Sequence, residues 1–135
     1  MKAGEHLERV EKYIVDNKLI KASQTRERRV RRFEAYIKIR LTLIDDSILD
    51  VTEYIYAIDE NDAQVKRYSY HWMDSSSQLR LRWDNVSHYP KLPGFPHHLH
   101  DRAEKHVVSS ESMTLPKALD RIAQEIESFR NQQQL

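Results

Sequence analysis

Apolar and polar side chains alternate along residues 36–43, and this period of two constrains the fold more than any other feature of the chain. Four apolar residues share one side of the segment: Ile37, Ile39, Leu41 and Leu43. The other side carries Tyr36, Lys38, Arg40 and Thr42. Because successive side chains of a β-strand point to opposite faces, the segment predicts a strand with one buried face. Residues 68–72 and 79–84 repeat the pattern, which favours an antiparallel sheet with one covered face.

A helix is predicted at each end of the chain. The first spans about residues 3–17 and has a stripe of apolar residues at helical spacing: Leu7, Val10 and Ile14. The second begins near Thr114, with Pro116 in its first turn. Its expected buried stripe is Leu119, Ile122, Ile126 and Phe129. We expect the polar tail, residues 131–135, to fray.

The segments between the helices are read as strands. Residues 20–32 fit a helix or a strand, and we favour a strand. Residues 48–58 suit a strand, but their apolar phase slips between Val51 and Tyr54, which predicts a β-bulge near Thr52. In the last hairpin we expect Trp72 to pair with Leu79. This register places three polar pairs on the other face: His71 with Arg80, Ser69 with Arg82, and Arg67 with Asp84.

Together these elements predict an α+β fold in a single domain over residues 1–135. Its parts are an N-terminal helix (1–19), an antiparallel meander of four to five strands (20–85), a long His/Pro-rich loop (86–112), and a C-terminal helix with a frayed tail (113–135). The prolines at 90, 93 and 96 argue against regular structure in the loop. Both helices should pack on the apolar face of the sheet.

Composition excludes several classes of protein. The chain has no cysteine, so disulfides, thiolate metal sites and a cysteine nucleophile are excluded, and a cytoplasmic location is expected. No apolar run approaches the roughly 20 residues of a membrane span, so no membrane partner is expected. A net charge of +1 and the lack of a helix-turn-helix pattern argue against autonomous DNA binding.

Charge is segregated along the chain. Residues 26–40 contain seven Lys or Arg and two Glu, whereas residues 44–62 contain seven Asp or Glu and no Lys or Arg. If these segments pair as antiparallel strands, opposite charges face each other across the ladder. The basic run at residues 26–32 therefore has two interpretations, a structural one of this kind and phosphate binding.

Histidine, tryptophan and proline are concentrated between His71 and His100, in the sequences YSYHW (68–72), RWDN (82–85) and FPHHLH (95–100). In their order and intervals these motifs resemble the TumE family of prokaryotic toxin-antitoxin proteins. The resemblance covers roughly residues 33–127. It implies a toxin component with a cognate antitoxin, which in such modules is often a DNA-binding protein.

For a toxin with these residues, we favour RNA cleavage by histidine acid–base chemistry without a metal or other cofactor. His97 and His98 are the candidates for acid and base, with His71 or Asp84 orienting them. Arg80 and Arg82 would stabilise charge on the phosphate. Six residues are candidates for binding RNA as substrate: Trp83, Asn85, His88, Arg67, Tyr89 and His100. Structural roles are the alternative for Asp84, Asn85 and His71.

Two further hypotheses stay open. In the first, a divalent metal such as zinc is held by His98 and His100 with His88 or Asp84, in a metal-dependent hydrolase. In the second, the chain is a non-catalytic interaction module whose loop and basic run bind the antitoxin or a cellular protein. A homodimer is compatible with either hypothesis.

Overall fold

The computed structural model describes residues 1–59 and 61–133. Within these residues the chain forms two helices and seven strands. In chain order they are α1 (Ala3–Asp16), β1 (Ile20–Val30), β2 (Glu34–Leu43), β3 (Ile48–Ala57), β4 (Ala63–Met73), β5 (Leu79–Asp84), β6 (His98–Asp101), β7 (Val107–Ser109) and α2 (Leu115–Gln133).

The seven strands form one antiparallel sheet in which every strand pairs with the next along the chain. The buried residues of α1 and α2 join the apolar residues of the sheet in a single core. Both helices therefore pack on the same face of the sheet. The predicted α+β class, the helix near residues 3–17 and the strand that begins at residue 20 are confirmed.

The alternation that predicted the sheet also builds its core. Every second residue of β2 is buried, in the order Ala35, Ile37, Ile39, Leu41 and Leu43, and the residues between them are partly or fully exposed. β4 continues the pattern with Tyr68, Tyr70 and Trp72. A slip of one residue in either strand would expose its whole apolar set, so burial fixes the register.

The C-terminal helix differs from its prediction at the end. Leu119, Ile122 and Ile126 are buried as expected, but Phe129 is 44% exposed. From residue 127 onward every described residue of α2 is exposed, which indicates that the last turns extend beyond the sheet. The helix continues through Gln133, so residues 131–133 are helical rather than frayed, and residues 134–135 lie outside the described residues.

The region predicted as a long loop, residues 86–112, contains two of the strands. β6 and β7 extend the sheet, so it has seven strands rather than four or five. The three loop prolines all precede His98 and do not interrupt either strand. β6 lacked a recognisable pattern because Leu99 is its single apolar residue, between His98 and His100.

The β-bulge predicted near Thr52 is wrong. β3 keeps its alternation without interruption because Glu53 occupies a buried position between Val51 and Ile55. The apparent phase slip was therefore a carboxylate inside the core. The irregularity in this strand pair lies further on, where Tyr54 pairs with Arg67 and Ile55 pairs with Val65.

The predicted register of the last hairpin is also wrong. Trp72 pairs with Leu81 and Met73 pairs with Leu79, which leaves Arg80 as an extra, bulged residue. The guanidinium of Arg80 lies 4.8 Å from the centre of the Trp72 ring. The shift changes the polar pairs, so His71 lies opposite Arg82, Ser69 opposite Asp84, and Arg67 opposite Tyr54.

The opposite charges meet across β2 and β3 at one position. Arg40 donates two hydrogen bonds of 2.8 Å to the carboxylate of Asp50. Residues 26–30 of the basic run lie on the edge strand β1, where Arg28 donates to Glu11 of α1. The facing charges predicted from the sequence are confirmed for Arg40 and Asp50, whereas Arg28 pairs with a helix.

Gly94 lies in the segment between β5 and β6, where its backbone comes close to that of Ser110. Its φ is +82°, and a Cβ at this position would lie 2.7 Å from the carbonyl oxygen of Ser110. We expect Gly94→Ala to lower the free energy of unfolding by about 1–3 kcal/mol, measured by urea denaturation. Ser87→Ala, at an exposed position of the same segment, is the control and should stay within about 0.5 kcal/mol of wild type. Equal stability of the two variants would contradict the expectation.

Candidate functional site

His97 and His98 lie on opposite faces of the sheet. His98 Nε2 lies 2.9 Å from Asp84 Oδ1, on the face away from the helices. His97 Nδ1 lies 2.7 Å from the hydroxyl of Tyr68, on the face that carries the helices. Side chains of consecutive residues in an extended chain point apart. One reacting group cannot contact both imidazoles, so the structure does not bring this predicted acid–base pair together.

Cross-strand pairing gathers the other predicted residues on the face that lacks helices, which we name the helix-free face. Two rows of three residues cross β4, β5 and β6 there: Ser69, Asp84 and His98 in one row, and His71, Arg82 and His100 in the next. We name these six residues the Asp84 cluster. The pairing thus brings together five of the predicted catalytic or substrate-binding residues.

Asp84 is the centre of the cluster. Its Oδ1 contacts His98, and its Oδ2 lies 3.3 Å from Arg82 Nε and 3.8 Å from His100 Nε2. Oδ1 also accepts a 3.0 Å hydrogen bond from the backbone N–H of Val86. A buried carboxylate is costly unless it is paired and hydrogen-bonded, and here both oxygens have such contacts.

Backbone carbonyls orient the two buried imidazoles. His98 Nδ1 lies 3.0 Å from the carbonyl oxygen of Pro96, and His100 Nδ1 lies 2.8 Å from that of Glu104. His98 therefore has an oxygen acceptor within hydrogen-bond distance of each ring nitrogen. His100 Nε2 instead lies 3.1 Å from Arg82 Nη2, so it accepts a hydrogen bond from the guanidinium.

A cleft of about 330 Å³ opens beside the cluster. All six cluster residues line it, together with Val86, His88 and Tyr89. The Tyr89 ring lies edge-on, with its centre 4.8 Å from that of His98. His98 is 2% exposed, whereas His71 and Arg82 are partly exposed. A ligand in the cleft would therefore meet His71 and Arg82 before it met the buried imidazoles.

His71 favours the neutral form. Burial lowers its pKa below the usual 6.5, and the positive charge of Arg82 lowers it further. Glu104 and Asp50 oppose the shift, while His100 adds to it. A neutral imidazole at the mouth of a cleft can accept a proton, so the environment of His71 suits a general base.

The structure corrects the roles expected of Arg80 and Trp83. The Arg80 guanidinium lies against Trp72 and 5.6 Å from the Phe129 ring of α2, on the helix side, and its Nη1 lies 3.3 Å from Asp45. It does not reach the Asp84 cluster because the bulge turns it away. Trp83 is 2% exposed in the core, so it cannot stack on a base.

The remaining predicted residues lie at the rim of the cleft or outside it. His88 lines it and is exposed. Asn85 has a structural contact, since its side chain accepts from the backbone N–H of Tyr68 and donates to the carbonyl of Lys66. Arg67 is exposed on β4, outside the cleft.

Three side chains could hold a metal ion. Ligand atoms of Asp84, His98 and His100 lie within 4.8 Å of one another. In both histidines, Nδ1 contacts a backbone carbonyl and Nε2 lies on the side of the Asp84 carboxylate. Known metal sites orient their histidine ligands in the same way. Arg82 competes with a cation here because its guanidinium contacts Asp84 and His100. His88, the fourth predicted ligand, is not in this group.

A second polar site lies on the face of the sheet that carries the helices, and it was not predicted from the sequence. A cavity of about 610 Å³ between the sheet and the helices has Glu53, 2% exposed, in its wall. The Tyr70 hydroxyl donates a 2.6 Å hydrogen bond to Glu53, and His6 Nε2 lies 3.4 Å away. Burial and the adjacent Glu53 carboxylate raise the pKa of Tyr70. His97 and Tyr68 line the same cavity. The inward position of Glu53 in the alternation of β3 was the available signal.

Comparison with known families decides the assignment of the chain. A family model described as Toxin TumE matches residues 10–130. The chain belongs to the TumE toxin family. Searches of curated proteins and of solved structures gave no match.

Membership in the TumE family makes the chain a toxin component of a toxin-antitoxin module and implies an antitoxin partner. Within the described residues, neither helix is long and apolar enough to cross a membrane. The motifs that carried the resemblance divide between the two faces. His71, Asp84 and His98 belong to the Asp84 cluster, whereas Tyr68 and His97 line the cavity under the helices.

The electrostatics of the cleft can be tested at His71. We expect NMR titration to give a His71 pKa below 6.5. Arg82→Gln should raise this pKa because it removes a positive neighbour, and Glu104→Gln should lower it further. Lys105→Gln, an exposed neighbour of Glu104, is the control and should leave it unchanged. A His71 pKa above 6.5 in the wild-type protein would contradict the expectation.

Proposed function

We propose that this TumE family toxin cleaves RNA at the Asp84 cluster. The observation that carries the proposal is the convergence of three imidazoles, a guanidinium and a buried carboxylate in one cleft on the helix-free face. Histidine supplies both an acid and a base near neutral pH, and arginine binds phosphate. RNA carries its own nucleophile, the ribose 2′-hydroxyl, so the protein has to supply only proton transfer and charge stabilisation.

His71 and His98 divide the proton transfers in this mechanism. Neutral His71 takes the proton of the 2′-hydroxyl, and the 2′-oxygen forms a bond to phosphorus. The bond from phosphorus to the 5′-oxygen breaks, and the Nε2–H of His98, which otherwise donates to Asp84, gives that oxygen a proton. The products are a 2′,3′-cyclic phosphate and a free 5′-hydroxyl. The two rings line the same cleft, one partly exposed and one bound to Asp84.

Arg82 stabilises the negative charge that develops on the phosphate oxygens. Its guanidinium is held by Asp84 and by Glu104, whose Oε2 lies 2.8 Å from Nη2. A preorganised cation of this kind lowers the barrier without moving during the reaction. Asp84 acts as a positioning residue, because it orients both His98 and Arg82. His88 and Tyr89, at the rim, are expected to contact the nucleotides that flank the cleaved bond.

His97 is assigned a supporting role instead of a catalytic one. Tyr68 connects it to the N-terminal end of α2, since the Tyr68 hydroxyl accepts a 3.3 Å hydrogen bond from the backbone N–H of Met113. The backbone N–H of His97 donates to the carbonyl of Gly94. These contacts fix the chain where it enters β6, next to His98.

Toxicity should follow the helix-free face. In an inducible bacterial host, we expect the wild-type chain to arrest growth and fragment RNA. His98→Gln and Asp84→Asn should abolish both effects, with purified cleavage rates reduced by about 10²–10⁴-fold. The matched control is His97→Gln, the neighbouring histidine on the other face, which should remain toxic. Thermal unfolding of each variant identifies any that fails to fold.

Other outcomes would refute parts of the proposal. Growth arrest with intact RNA in the wild type would exclude the nuclease mechanism. Arrest that is lost in His97→Gln but kept in His98→Gln would move the active site to the cavity that contains Glu53. No arrest by a folded wild-type chain would favour the non-catalytic interaction module.

Metal-assisted hydrolysis is the second candidate, because Asp84, His98 and His100 could hold a cation. We expect cleavage by the purified protein to persist after dialysis against EDTA, since Arg82 already supplies positive charge beside Asp84. The control is a metal-dependent nuclease treated in parallel. Loss of cleavage in EDTA that zinc or another divalent cation restores would support the metal-dependent mechanism instead.

The proposal extends to the partners. We expect the antitoxin to bind DNA, as in many modules of this kind, and the toxin to act in the cytoplasm, where its RNA substrate is found. A homodimer of the toxin stays a prediction. The antitoxin should suppress cleavage either by covering the helix-free face or by holding the toxin away from RNA.

A further inference from the structure

A row of two tyrosine side chains with an arginine at each end crosses four strands of the helix-free face. Arg29 of β1 lies opposite Tyr36 of β2, Tyr36 lies opposite Tyr54 of β3, and Tyr54 lies opposite Arg67 of β4. At the usual spacing of neighbouring strands, β1 and β4 are about 14 Å apart. These four residues line a groove of about 490 Å³. We name it the Arg–Tyr groove.

The basic groups of the groove have few carboxylate partners. Among the described residues, Arg67 makes no side-chain hydrogen bond and no ion pair, and the Lys66 ammonium lies over the Tyr56 ring at 5.2 Å. Arg29 lies over the Tyr36 ring at 5.2 Å, with Glu27 at 3.5 Å and Glu34 at 3.9 Å. Arg67, without a carboxylate partner and opposite the half-buried Tyr54, offers a site for an anion attached to a planar group, whereas Arg29 shares its charge with two carboxylates.

The Arg–Tyr groove is continuous with the cleft of the Asp84 cluster, because Ser69 and Val86 line both. In the row of residues that follows along the strands, Thr52 lies opposite Ser69, and Ser69 lies opposite Asp84. Thr52 and Ser69 are small, so little side-chain volume separates the groove from the cleft. A chain molecule that entered at Arg29 could therefore reach the reacting groups without leaving the sheet.

We propose that single-stranded RNA binds across β1–β4 in the Arg–Tyr groove and enters the cleft at Ser69. Bases stack on Tyr36 and Tyr54, and phosphates contact Arg29 and Arg67. The proposal rests on the nuclease function and adds the substrate class and its path. Stacking on a tyrosine requires bases that are free of a duplex, so single strands fit the groove and double-stranded RNA does not.

The test is fluorescence anisotropy of a short, unstructured, labelled RNA, with the full chain carrying His71→Gln to prevent cleavage. Arg29→Gln and Arg67→Gln should each weaken binding several-fold and reduce the salt dependence by about one phosphate contact. The matched control is Arg28→Gln. Arg28 adjoins Arg29 but contacts Glu11 on the helix side, so its loss should leave binding unchanged.

The tyrosines provide the second arm. Tyr36→Ala should weaken binding by about tenfold or more, whereas Tyr36→Phe, which keeps the ring, should bind like the parent chain. Retention by the Phe variant excludes general loss of folding as the cause. A duplex RNA of the same length should bind more weakly than the single strand.

The outcomes separate this proposal from the function on which it rests. If the chain cleaves RNA but the Arg29, Arg67 and Tyr36 variants bind it normally, the groove is overturned and the nuclease stands. Equal loss in Arg28→Gln would reduce the effect to net charge and also overturn the groove. If these variants lose binding to the purified antitoxin instead of RNA, the groove is a protein interface. If the wild-type chain neither binds nor cleaves RNA, both proposals fall.

Discussion

The buried carboxylate of Asp84 is the interaction on which the helix-free face depends. It joins β5 to β6 through His98 and fixes Arg82 on its own strand. The last two strands have little apolar surface to hold them, since Leu99, 8% exposed, is the one buried apolar residue among them. Removing one partner from a buried charge pair costs about 3–5 kcal/mol, so the carboxylate supports the edge of the sheet as well as the site. The cluster at which we propose the chemistry thus also has a structural role.

The segment that covers the Asp84 cluster limits access to the buried imidazoles of His98 and His100. Tyr89 lies against the His98 and His100 rings, in a segment of residues 86–97 that belongs to none of the strands. In the proposed mechanism a substrate reaches His71 and Arg82 as the cleft stands, and proton transfer from His98 requires the Tyr89 side chain to move. Irregular, partly exposed segments move at lower cost than packed strands. Strand pairing and the Asp84 contacts hold the residues of the Asp84 cluster in place. The segment able to move is the one that covers them, residues 86–97 with Tyr89.

The elements with clear periodicity were predictable from the sequence, and those without it were not. The alternation of apolar residues located β2, and the apolar stripe located α1, because burial of one face dictates each pattern. β6 was missed because two of its four residues are histidines, whose burial depends on partners far away in sequence. Glu53 was mistaken for a bulge for a related reason, since its burial depends on Tyr70. The order of the strands was enough to predict that polar residues of β4 and β5 meet on the helix-free face. The register of the last hairpin was not predictable, because it depends on the bulge at Arg80, which has no local sequence signal.

The basic run of residues 26–32 shows how a strand gives one sequence feature two roles. As a block of charge, it could be explained either by pairing within the protein or by phosphate binding. Alternation divides it, because Arg28 points to the helices and pairs with Glu11, whereas its neighbour Arg29 lies over Tyr36 on the helix-free face. The first contact attaches the edge strand to α1, and the second leaves a cation beside an aromatic ring. The structural interpretation therefore applies to Arg28 and the proposed phosphate contact to Arg29, just as His97 and His98 divide between the two faces where β6 begins.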